Sequence, residues 1–428
     1  MIRVAGIADS PKLNTGFANV AREIFKGFGE EFEFSAFGIL DWTPDIKGLL
    51  PYFFWPTSQI DQMGYSESLE FVRQVEPDIV WIMIDPGNLT KWVNGLIDLN
   101  QEMKQYGKPF KILAYPPIEG DPVSVVQMMG IKEILKQKGD VVLWCESAVK
   151  SVNAVSGLEL DYIYFGSDHA DFRPYTKEER AALRTKVGLN ETFLVGCGGV
   201  NKRTKNFPML IYAARELKLR GERGITFYCH TDPERPTMQG YRLRDMVKNY
   251  GVEDYFLWKE EIGENYYQGI NYDTETIDFL GRIPDPTTLD EWQTAWNSYD
   301  FISRINCLDM YIDVSTVEGY GLFLSECMSM GVPVATPIDF HVRSEIFGPA
   351  AYSFQSTERE TWETWHTGVR LVGMDQRVVA DTILELKNNP ELRKLHVEHG
   401  LEHIKQFTWD KTREQMNQKV RELHAKVL

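Results

Sequence analysis

Long apolar runs are missing from this chain. Stretches such as Ile79–Ile84 fall far short of the ~20 residues that a membrane-spanning helix needs, so no span is expected. A surplus of positive charge is missing too. The net charge of −16 disfavours nucleic acid or an anionic membrane as partner, unless a local basic patch overrides the average. No two of the five cysteines (Cys145, Cys197, Cys229, Cys307 and Cys327) stand at Cys-x-x-Cys spacing. Their number is odd and three lie in apolar strand-like runs. Free buried thiols in a reducing compartment are expected, not a disulfide frame or a metal cluster. The first residues run straight into a strand with no signal-peptide pattern, so a cytoplasmic location is expected. There is no low-complexity segment.

What is present is ordinary for a globular protein: 43% hydrophobic and 25% charged residues. A length of 428 residues exceeds one usual core, so two domains are expected. Aromatics are plentiful at 12%, with 11 Trp, which suits heavy packing or carbohydrate-facing surfaces.

The first half alternates strand-like and helix-like segments, the pattern of a doubly wound α/β sheet. Ile2–Ala8 reads as a strand. A polar loop ending at Gly16 follows, and then a helix over Phe17–Phe28 with Phe17, Val20, Ala21, Ile24, Phe25 and Phe28 on one side. This loop lacks Gly-x-Gly-x-x-Gly. Gly16 either caps the helix start or faces a cleft and holds phosphate or acceptor. Further strands are read at Phe32–Phe37, Ile79–Ile84, Phe110–Tyr115, Val141–Trp144 and Tyr162–Phe165. Helices are read at Ser66–Gln74, Trp92–Tyr106, Met128–Lys138 and Ala148–Val155. Ligands of such sheets bind beyond the carboxyl ends of the strands. Three of those loops carry acids: Asp9, Asp85, and Glu119 with Asp121. Any one of them alone is an ordinary turn residue.

The pattern repeats after a charged stretch at Lys177–Lys186. Phe193–Cys197 reads as a strand. Gly198-Gly199-Val200-Asn201-Lys202-Arg203-Thr204-Lys205-Asn206 reads as a glycine-rich loop and Phe207–Leu219 as a helix. Lys202, Arg203 and Lys205 at a helix start suit a diphosphate, or else form a solvated charged turn. Leu289–Asn306 reads as mostly helical and Met310–Val314 as a strand. Next come Glu318, Gly319, Tyr320, Gly321 and Leu322. Glu326 lies two turns further on, before Gly331-Val332-Pro333-Val334-Ala335. Glycines that admit close backbone approach, helix N–H groups for phosphate and carboxylates for sugar hydroxyls together suit a nucleotide-sugar. Trp258–Gly281 and Gln355–Val372 show no clear period. His396, His399 and His403 share a helical face, where packing is expected and a metal site is not.

The Glu, seven residues, Glu pattern at Glu318 and Glu326 resembles that of retaining GT-B glycosyltransferases of the glycosyltransferase family four type. Lys205-Asn206 resembles that family's phosphate-binding lysine, and Asn306-Cys307-Leu308-Asp309 its approach to the motif. Gly166-Ser167-Asp168 with Phe172 and Pro174 resembles its interdomain link, and Thr408-Trp409 its last helix entry. The resemblance covers nearly the whole chain. It implies two Rossmann-like domains facing a cleft: residues 1–172 for the acceptor, 186–406 for the nucleotide-sugar, and 407–428 as a helix returning to the first domain. It implies a UDP-, GDP- or ADP-linked donor and retention of configuration. Glu326 would hold the ribose, Glu318 the sugar, and the N–H groups of Tyr320, Gly321 and Leu322, with Lys205 and Arg203, the diphosphate. Gly16 and Gly199 would flank that donor.

Two positions depart from the family. Val200 stands where members carry an arginine, leaving Lys202 or Arg203 to substitute, and residues 1–168 contain no histidine. Glu119 is the candidate for the role of the family's first-domain histidine. The chain has no Asp-x-Asp element, so no metal and no cofactor beyond the nucleotide-sugar is expected. The resemblance implies a carbohydrate or other hydroxyl compound as acceptor, with nucleic acid disfavoured by the charge. A sugar phosphorylase or epimerase, or a non-catalytic nucleotide-sugar binder, would use the same fold.

Overall fold

The computed structural model describes residues 1–13, 15–42, 50–58, 60, 61, 63–234, 240–258, 301–339, 341–361 and 369–426. The first domain runs β1 (Ile2–Asp9), α1 (Gly16–Phe25), β2 (Phe32–Ile39), β3 (Phe53–Pro56), α2 (Tyr65–Val75), β4 (Ile79–Ile82), α3 (Pro86–Gln105), β5 (Lys111–Ala114), α4 (Val125–Lys136), β6 (Asp140–Leu143), α5 (Glu146–Ser156) and β7 (Asp161–Tyr162). Its strands form one parallel sheet in the order β3-β2-β1-β4-β5-β6-β7. Strand β4, Ile-Val-Trp-Ile, is buried throughout, as a strand with both faces covered by helices must be.

The second domain runs α6 (Lys177–Lys186), β8 (Phe193–Gly198), α7 (Pro208–Leu219), β9 (Ile225–His230), α8 (Leu243–Asn249), β10 (Phe256–Trp258), α9 (Phe301–Asn306), β11 (Met310–Ile312), α10 (Leu322–Ser329), β12 (Val334–Pro337), β13 (Tyr352–Phe354), β14 (Thr357–Thr361), β15 (Val369–Gly373), α11 (Gln376–Asn388) and α12 (Pro390–Ile404). Its parallel sheet has the order β10-β9-β8-β11-β12-β13. The chain then returns to the first domain as α13 (Trp409–Ala425). There Trp81 Nε1 points at Met416 Sδ at 3.2 Å, Arg413 pairs with Glu23 at 3.0 Å, and Asn417 donates to the Gly27 carbonyl at 2.8 Å. The doubly wound pair of domains and the returning helix agree with the expectation from sequence.

Several elements differ from it. Helix α3 starts at Pro86 instead of Trp92, because Asp85 accepts from the Gly87 N–H as N-cap and proline suits the first turn. Helix α1 stops at Phe25, short of Gly27 and Gly29. Strand β3 was not anticipated. The Gln355–Val372 stretch holds most of an antiparallel ribbon, β14 with β15. Nearly all of the unread Trp258–Gly281 segment, and residues 289–300 of the helix read before β11, lie outside the described residues. The five cysteines are free and buried. His396 and His403 face the carbonyls of Ala350 and Ile346, which is a packing role. No cluster of three or more metal-ligating side chains, and no helix long and apolar enough to cross a membrane, occurs among the described residues.

Candidate active site

Each sheet reverses its winding at one point: between β1 and β4 in the first, and between β8 and β11 in the second. Loops leave a doubly wound sheet in opposite directions there and open a crevice. In the second domain the loops after β8 and β11 carry Lys205 and Glu318. The loops are tied to each other, since Thr316 donates to the Thr204 carbonyl through its N–H at 2.7 Å.

Lys205 closes a 3-10 turn over Arg203–Lys205. Gly199, at φ +137°, makes that return possible: a Cβ there would sit 3.0 Å from Lys205 Cε. The Lys205 ammonium forms an ion pair with the Glu318 carboxylate. Burial pushes the lysine pKa down, but the charges of Glu318 and Asp313, the bond to Glu318 and the charge of Glu119 outweigh it and leave the pKa raised. Lys205 therefore stays cationic in a desolvated position. The contribution of Glu119 brings a first-domain acid into the electrostatics of the second-domain loop.

Helix α10 starts at Leu322 without a side-chain cap, because Gly321, at φ +104°, occupies the N-cap. This leaves the helix start open to an anion. Glu326 lies on the same helix. Burial raises its carboxyl pKa to about 8, and it makes no side-chain hydrogen bond or ion pair among the described residues. A desolvated carboxyl group with vacant acceptor positions is suited to receive hydroxyl donors.

The first domain closes against this helix start. A Cβ on Gly319 would lie 3.2 Å from Pro117 and 3.3 Å from Trp144, and one on Gly16 would lie 3.7 Å from Leu322 Cδ1. Tyr320 is buried, with its hydroxyl donating to the Phe165 carbonyl at 2.8 Å, so its side chain serves the domain contact. Asp9, at the end of β1, accepts from Thr15 Oγ1 at 2.8 Å. Burial raises its pKa to about 6, Thr15 lowers it, and the nearby Asp85 charge raises it further. Gly16, Gly199, Lys205, Glu318, Gly319, Tyr320, Gly321 and Leu322 thus converge on the junction, with Glu119 within electrostatic reach. Arg203 is exposed on its turn.

Sequence reasoning missed the supports. Arg343 is fully buried: its Nε donates to Asp339 at 2.7 Å, and its Nη1 donates to Asp313 at 2.8 Å and to the carbonyl of Ser315, three residues before Glu318, at 2.5 Å. Glu345 reaches into the first domain and accepts from the N–H groups of Glu146 (3.0 Å) and Ser147 (2.6 Å), and from Tyr164 Oη (2.6 Å). It thereby caps α5 from the opposite domain. The i, i+4 spacing of Asp339 and Arg343 was the one local signal.

No protein-family model matches the sequence, and no curated protein matches it. Solved structures do match in fold. HepE of Anabaena, solved with UDP and glucose, has a TM-score of 0.67 at 12% identity, covering 99% of this chain and 100% of that one. Sucrose-phosphate synthase of Thermosynechococcus elongatus has a TM-score of 0.70 at 14% identity, covering 99% and 100%. A glycosyltransferase of Rickettsia africae has a TM-score of 0.64 at 10% identity, covering 99% and 98%. At these identities the likeness is one of architecture, and it extends over both domains and the returning helix: the chain has the GT-B fold.

Proposed function

We propose that this protein is a retaining hexosyltransferase that moves a sugar from a UDP-, GDP- or ADP-linked donor to an acceptor hydroxyl without a bound metal. One observation carries the reading: the Lys205–Glu318 pair stands at the uncapped start of the helix that also bears Glu326, which has no side-chain partner among the described residues. HepE, bound to UDP and glucose and also to UDP-glucose in its solved structures, shares the fold and supports a nucleotide-sugar as ligand.

In this reading the donor diphosphate lies on the N–H groups of Tyr320, Gly321 and Leu322. Lys205 and Arg203 supply the countercharge, Glu326 takes the ribose hydroxyls, and Glu318 takes the sugar hydroxyls. Negative charge develops on the leaving diphosphate as the anomeric C–O bond breaks, and cations and N–H groups fixed in advance stabilise it. The acceptor oxygen attacks from the same face, and its proton passes to the departing phosphate. Glu119 faces the sugar from the first domain. Residues 1–172 take the acceptor, 186–406 the donor, and 407–428 join the two. The place of action is the cytoplasm.

Thermal shifts with UDP-, GDP- and ADP-sugars identify the donor. With that donor, Glu326→Ala and Lys205→Ala are each expected to lower transfer at least ~10-fold, ~1.4 kcal/mol of transition-state stabilisation. Full activity in both variants refutes the assignment. The absence of histidine from residues 1–168 favours a second reading, a non-catalytic binder. Tight binding with no donor hydrolysis over hours would select it.

A further inference from the structure

Strand β15 touches both sides of the junction. On the second-domain side, the Val372 N–H donates to the Thr316 carbonyl at 2.8 Å, two residues before Glu318. On the first-domain side, the Arg370 N–H donates to the Asp121 carbonyl at 2.8 Å, two residues after Glu119. The Arg370 guanidinium adds a second bond to that carbonyl through Nε, at 3.3 Å, and an ion pair with the Asp121 carboxylate. Val369 is fully buried and packs with Val317. Its Cγ2 would lie 3.2 Å from a Cβ on Gly120, which has φ +80° and must be glycine to lie there. One short strand thus backs the Glu318 loop and the Glu119 loop together.

We propose that Arg370 is a positioning residue for sugar transfer: by gripping Asp121 it holds Glu119 opposite the Lys205–Glu318 pair. This rests on the transferase reading above. The Arg370 side chain is 36% exposed. A partly exposed pair of this kind adds little to stability, so removing it leaves the fold standing. Misplacing a group by ~1 Å at a reacting centre, by contrast, costs as much as ~100-fold in rate. Turnover is therefore the sensitive readout.

The test measures kcat and donor KM for Arg370→Ala, Arg370→Lys, Glu119→Gln and the double variant Arg370→Ala/Glu119→Gln, using whichever of UDP-, GDP- and ADP-glucose the unaltered protein turns over. Arg370→Ala is expected to lower kcat at least ~10-fold with donor KM within ~2-fold of the unaltered protein. Arg370→Lys recovers part of the loss, because lysine keeps the charge on the Asp121 carboxylate but lacks the rigid planar fork that fixes the carbonyl at the same time. The double variant matches Glu119→Gln alone, because Arg370 acts through Glu119. Independent, multiplying losses, or a raised KM at unchanged kcat, would overturn the proposal while leaving the transferase reading intact. No turnover of any of the three donors by the unaltered protein overturns that reading and this proposal with it.

Discussion

Replacing Glu326 with glutamine changes one thing, the ability to ionise. In the folded protein burial raises the carboxyl pKa from 4.5 to about 8. The sign follows from proton counts. Below pH 4.5 the side chain is neutral folded and unfolded, and its contribution to stability is fully present. Between pH 4.5 and 8 the unfolded chain has released the proton while the folded one still holds it. Stability then falls by ~1.36 kcal/mol per pH unit, and the contribution is lost as pH rises through 8. Over that window the loss reaches at most about 5 kcal/mol, less where water still meets the half-buried residue. Urea midpoints of both proteins at pH 5, 7 and 9 are the assay. The unaltered protein is expected to lose ground steadily against Glu326→Gln as pH rises, and to be the less stable of the two at pH 9. Asp9 has a raised pKa as well but is common to both proteins, so it cancels. Hydroxyl donors on the carboxylate favour its charged form, so donor binding near pH 7 should release protons, visible as calorimetric heats that depend on the buffer. A stability difference that does not change with pH refutes the reasoning.

Arg343→Met leaves Asp313 and Asp339 buried without their cation and is expected to cost ~3–5 kcal/mol in denaturant stability, because stranding a buried charge is expensive. Glu345→Gln weakens the charged cap on α5 and is expected to cost ~1–3 kcal/mol by the same measurement. Glu345→Asp should not restore it, since the shorter side chain falls back from the opposite domain.

The glutamate motif was legible because its elements are local: a glycine pair, a helix start and a strand follow one another within 19 residues. The winding of both sheets was legible for the same reason, in apolar runs such as Ile79–Ile82 and Phe193–Gly198. Arg343, Glu345 and Arg370 were not. Glu345 and Arg370 act on partners far away in sequence, 249 positions in the case of Arg370 and Asp121, and no short pattern records such a pairing; Arg343 left only its i, i+4 spacing to Asp339, which an exposed helix pair would show as well. The β14–β15 ribbon was overlooked because a two-stranded ribbon carries only weak alternation and takes its stability from what it packs on, here Val317 and Gly120. Asp85-Pro86 is a readable helix start, an N-cap acid followed by a first-turn proline.

The returning helix has a consequence for how the protein is made. Trp81, in the middle of the first sheet, is sealed by Met416, 335 positions later. A growing chain leaving the ribosome cannot finish its first domain while the second is being synthesised. Until residues 409–425 emerge, the side of that domain beside Trp81 and α1 stays uncovered. The usual order, in which an N-terminal domain matures first and alone, is closed to this topology, and the half-made protein is the form most exposed to aggregation.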